Sequence, residues 1–70
     1  MANNRKEKFR VEIFYDNGWC QWSAHLNNEN AFINAETIRN SRKIDTRVIY
    51  KGNIVMFYEK SGGSVGDLRT

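Results

Sequence analysis

Two dipeptides constrain this chain more than anything else in it: Asn17-Gly18 and Gly52-Asn53. Asn and Gly tolerate positive φ, so each dipeptide fits the two-residue turn of a β-hairpin. Each also lies between runs rich in β-forming residues. FRVEIFY and WCQWSAHL flank the first, and TRVIYK and IVMFYEK flank the second. Between the hairpins, residues 28–43 (NENAFINAETIRNSRK) carry Ala31, Phe32, Ala35 and Ile38 at helical spacing. Asn27 or Asn28 suits the helix start and Glu29 its first turn. Arg39, Arg42 and Lys43 suit its C-terminal end. The expected fold is α+β. Its order is ββαββ, with a four-stranded antiparallel sheet and one helix on one face.

Seventy residues make one domain. Residues 1–7 and the Gly/Ser-rich residues 61–70 read as flexible flanks, which leaves a domain over residues 8–60. A chain this short buries only about 60% of its unfolded surface, so its stability is marginal without help. The single cysteine excludes an intrachain disulfide. One Cys and one His are too few for a His/Cys metal centre, and no cofactor is expected. Oligomerisation is the remaining route to stability. The lone thiol suits a reducing cytoplasm. No apolar run approaches the roughly 20 residues needed to cross a membrane, and MANNRKEK leads into no apolar signal region. A cytoplasmic protein with no membrane partner is expected. The net charge of +3 permits anionic partners without requiring them.

The two turns dictate which residues share a face. With Asn17-Gly18 as the turn, Tyr15 pairs with Cys20 and Ile13 with Trp22. Phe9, Val11, Ile13, Tyr15, Cys20, Trp22, Ala24 and Leu26 then form one apolar face, assigned to the core. Arg10, Glu12, Phe14, Asp16, Trp19, Gln21, Ser23 and His25 form the other. With Gly52-Asn53 as the turn, Val48, Tyr50, Val55 and Phe57 face the helix. Arg47, Ile49, Lys51, Ile54, Met56 and Tyr58 face away. The uncovered face would hold Phe14, Trp19, Ile49, Ile54, Met56 and Tyr58, more clustered apolar surface than a solvated face carries. A second copy, a partner protein or a ligand with flat rings is expected to cover it. The alternatives are a tail that folds back over it or a different second register.

Cys20 and His25 are the only soft or titrating candidates near neutral pH. In this register they point to opposite faces, so they make no nucleophile–base pair, and Cys20 reads as a core thiol. The acidic residues form no close pair, and no glycine cluster opens a helix as a phosphate loop does. No catalytic residue is assigned, and the chain reads as a binding protein, not an enzyme. The candidate binding residues are Arg10, Phe14, Trp19, His25, Arg47, Ile49, Lys51, Met56 and Tyr58. Arginines among aromatics suit stacking on a base with a charge on phosphate. They equally suit a protein interface.

The pattern FRVEIFYDNGW…A…A..IR…TRVIYKGNIV, spread over residues 9–58, resembles small ββαββ proteins encoded by bacteriophages. Such proteins include host-directed inhibitors and anti-defence sponges, which are small oligomers that sequester nucleotide immune signals. The resemblance implies a non-enzymatic binding role in the host cytoplasm. The leading expectation is a homodimer or higher oligomer, assembled through its open face, that sequesters a nucleotide-type ligand. The rival is an inhibitor that docks a host protein through its apolar sheet face. A nucleic-acid-binding module ranks last, given a net charge of only +3.

Overall fold

A computed structural model describes residues 8–66, and the expected flexibility of residues 1–7 and 67–70 falls outside them. Strand β1 (Phe9–Tyr15) and strand β2 (Gly18–His25) precede helix α1 (Asn28–Arg42). Strands β3 (Thr46–Tyr50), β4 (Asn53–Tyr58) and β5 (Ser64–Gly66) follow it. All neighbouring strands are antiparallel, in the order β2-β1-β3-β4-β5. The α+β class and the single helix agree with expectation. The strand count does not, because SGGSVG supplies a turn and a fifth strand.

Helix α1 has the caps its ends call for. The Asn27 side-chain oxygen accepts the Asn30 N–H at 3.1 Å, meeting one of the donors a helix start leaves open. At the other end Lys43 turns left-handed, φ 56°, and its N–H donates to the Arg39 carbonyl. Ala31 and Ala35 are fully buried. Their small size lets the helix backbone approach Val11 and Val48, which are also fully buried. Tyr58 completes this cluster, with Phe9, Phe32, Val55 and Met56 packed around it.

Both hairpins turn one residue earlier than expected. Asp16 and Asn17 take positive φ in the first, and Lys51 and Gly52 in the second. Tyr15 therefore pairs with Gly18, and Tyr50 with Asn53. Moving a two-residue turn back by one changes every cross-strand partner by two. Strand side chains repeat every two residues, so faces near the turn survive the change. Trp19 still shares a face with Phe14, and Cys20 with Ile13.

Bulges then alter what lies beyond. The β1–β2 register shifts opposite Val11, and Trp22 becomes the extra residue of β2. The β3–β4 register shifts opposite Val48, and Val55 becomes the extra residue of β4. A one-residue shift sends every later side chain to the opposite face. Three candidate binding residues are thereby corrected. His25 joins the row of Phe9, Met56 that of Val48, and Tyr58 that of Thr46, all on the helix side. Phe57 moves the other way, beside Arg47 on the open face. Residues assigned to the core leave it as well. Trp22 is 41% exposed, Leu26 62% and Tyr15 64%, and Cys20, read as a core thiol, is exposed as well. Val11 and Val48 are cross-strand partners, so the two bulges flank one row at the sheet centre.

The edge strand β5 is tied down by Arg39. Glu59 and Gly63 bracket a turn in which Gly62 takes φ 121°, a conformation that favours glycine. The Arg39 Nη1 donates to both the Glu59 and Gly63 carbonyls at 2.9 Å, and its guanidinium lies over the Tyr58 ring. Arg39 is buried. It stands in the last turn of the helix, as expected, and is also a clasp between helix and sheet edge.

Candidate binding surfaces

The open sheet face is built around Trp19. Its ring meets Phe14 edge-on at 5.3 Å between centroids and Phe57 at 6.1 Å. The Arg47 guanidinium lies over the same ring at 4.0 Å. Arg47 is itself engaged, because its Nε and Nη2 both reach Glu12 Oε1 at 2.8 Å. Arg10 stands on the other carboxylate oxygen of Glu12 at 3.7 Å. Ile49 is buried in the row that joins Arg10 to Ile54.

Of the nine candidate residues, the structure brings Arg10, Phe14, Trp19, Arg47 and Ile49 together on this face. Lys51 sits in the second turn with its ammonium 5.4 Å from the Tyr50 ring. His25, Met56 and Tyr58 lie on the helix side. The sequence reading missed Phe57. Every residue of IVMFY is apolar, so period-two alternation carries no face information there.

This arrangement covers its own apolar surface. Among the described residues only Phe14 and Val65 remain as more exposed large apolar residues of the face. One side of the Trp19 ring is taken by Arg47, and the Arg47 charge by Glu12. A base stacking on Trp19 and a phosphate pairing with Arg47 would each have to displace an existing contact.

A second surface lies on the helix side. The bulge at Trp22 turns that ring toward the C-terminal end of α1, and Tyr15 stands at the first turn. Together with Ile13, Ile44 and Arg42 they line an open hollow of about 380 Å³. That volume falls within the usual range of small-molecule sites. The Arg42 guanidinium lies over the Trp22 ring at 5.0 Å. No described carboxylate lies within ion-pair distance of it. Among the described residues the hollow thus combines two exposed aromatic rings with a cation that lies over one of them and has no carboxylate partner.

The structure does not bring Cys20 and His25 together. Cys20 and His25 share the helix side but lie five residues apart along β2, roughly 16 Å at strand rise. His25 Nε2 is 2.9 Å from Ser23 Oγ, a nucleophile–base distance. The Ser23 hydroxyl also donates to Asn34 Oδ1 at 2.9 Å. Ser23 bridges strand and helix. The described residues contain no helix long and apolar enough to cross a membrane. Comparison with protein-family models, curated proteins and solved structures returned no match.

Proposed function

We propose that this protein is a non-enzymatic binder of a small planar anion, a nucleotide-type ligand, held in the hollow between β2 and the C-terminal end of α1. The observation that carries this reading is the meeting of exposed Tyr15 and Trp22 with Arg42 around an otherwise apolar cavity. A flat base stacks on aromatic rings whatever its sequence identity, and a guanidinium pairs with phosphate oxygens. In this reading the ligand is sequestered without being consumed. Calorimetry against a broad nucleotide panel tests the reading. Binding is expected to be lost in both Trp22→Ala and Arg42→Ala. A panel with no binder, or a binder indifferent to both substitutions, ends it.

A second reading keeps the open sheet face as a docking surface for a host protein, with Phe14, Trp19 and Phe57 at its centre. The enrichment of Trp, Phe and Arg there favours it. Pull-down from host lysate with wild-type chain and Phe14→Asp separates the two readings, because Phe14 does not line the hollow.

A further inference from the structure

We propose that the outer edge of β2 pairs antiparallel with β2 of a second copy, about a two-fold axis through Cys20, joining two five-stranded sheets into one. Among the described residues β2 is one edge of the sheet, and β5 is the other. Three residues of the β5 edge are described. The β2 edge is eight residues long. None of GWCQWSAH is Lys, Arg, Asp, Glu or Pro, although 27% of the chain is charged. Two copies that each carry +3 repel one another, so a seam between them needs an uncharged strip. Strand β2 is that strip.

Backbone geometry selects the register. The closing pair of a two-residue turn exchanges both of its hydrogen bonds. Gly18 and Cys20 therefore direct their N–H and C=O groups at β1. The Phe14 N–H, aimed the other way to the Asp45 carbonyl at 2.9 Å, agrees with this alternation. Trp19 and Gln21 are left with backbone groups directed outward. One self-pairing uses both residues on both copies: Trp19 opposite Gln21 of the partner subunit, with Cys20 opposite its own counterpart.

Gly18 supplies an independent observation. Among the described residues of one chain nothing requires glycine there. Its φ is not positive, and a Cβ would meet nothing within 4 Å. In the proposed register Gly18 stands opposite Trp22 of the partner subunit, where a missing side chain makes room for the indole.

The full chain is examined by sedimentation velocity over a concentration series, then oxidised with diamide, which is reduced as two thiols join. A dimer is expected, and oxidation is expected to link it through Cys20. Facing residues of a non-hydrogen-bonded antiparallel pair stand about 4.5 Å apart at Cα, within disulfide reach. Gly18→Val raises the dimer dissociation constant about tenfold, the scale of one overpacked contact. Gln21→Pro abolishes the dimer and keeps its far-UV spectrum, because the removed N–H points away from β1. If Gln21→Pro unfolds, Gly18→Val decides alone. A chain monomeric throughout, a dimer indifferent to Gly18→Val, or one that diamide leaves unlinked overturns the proposal. Gly18 does not line the hollow, so loss of the dimer with ligand binding retained separates this inference from the nucleotide reading.

Discussion

Replacing Arg39 probes what holds the sheet edge to the helix. Its side chain is 6% exposed and donates to two carbonyls across the β4–β5 turn. A hydrogen bond from a charged donor is worth about 1.5–3 kcal/mol when its acceptor stays dry. Glu59 and Gly63 are exposed, so water recovers part of that on truncation. Glu36, 3.9 Å away, is largely exposed. Its carboxylate is therefore not stranded when the arginine goes, and that pair adds little. The expected cost of Arg39→Met is about 3 kcal/mol, against a total of roughly 3–10 kcal/mol for a domain of this length.

Urea melts followed by far-UV circular dichroism measure this cost. A double-mutant cycle with a chain ended after residue 60 isolates the clasp. Without Gly63 to bind, Arg39→Met is expected to cost about half as much. Tyr58 gives a second readout. Burial pushes its hydroxyl above the ordinary 10.0, Glu36 pushes the same way, and Arg39 opposes both. Removing Arg39 is expected to raise that titration further. Equal stability of Arg39→Met and wild type, or one unchanged penalty in both backgrounds, refutes the clasp.

Other outcomes follow from the same geometry. Trp22→Ala is expected to cost about 1 kcal/mol in a melt and to leave the chain folded, since a half-exposed ring recovers water contact. Trp19→Ala is expected to cost about 2 kcal/mol, from two aromatic edges and one cation–π contact, with the fold again retained. Lys43→Gly is expected to gain about 1 kcal/mol, because the left-handed cap at φ 56° strains a lysine and suits glycine. Stability measured against pH is expected to hold up to about pH 10, Tyr58's unfolded value. It then falls as pH rises through the higher folded value, since the unfolded chain gives up that proton first. A flat alkaline profile refutes the raised Tyr58.

The element order was legible because each signal was local. Asn27 and the alanine spacing mark the helix, and Asp16-Asn17-Gly18 marks a turn to within one residue. An error of one in the turn is harmless to facing, which is why Trp19 was placed with Phe14 from the sequence. Bulges leave no such local mark. In WCQWSAH both Ser23 and Ala24 suit either face, so nothing shows which residue is extra. The clasp at Arg39 was hidden for another reason. Its acceptors are carbonyls 20 and 24 residues away, and backbone oxygens have no sequence signature.

The two bulges also explain why the candidate site moved. An unbulged β2 starting from the observed turn would set Trp22 opposite Val11, under the helix. There an indole would force the helix away from the sheet and forfeit the close approach of Ala31 and Ala35. The extra residue sets Ser23 opposite Val11 instead, where its hydroxyl reaches Asn34 of the helix. The indole is displaced toward Tyr15 and Arg42, and the hollow is the space it opens. Val55 does the corresponding work on β4, placing Met56 in the row of Val48 and bringing Tyr58 beneath Arg39. Tight packing around the central valines and an exposed aromatic hollow thus share one cause. A sequence change that restores regular pairing at Trp22 should disturb both.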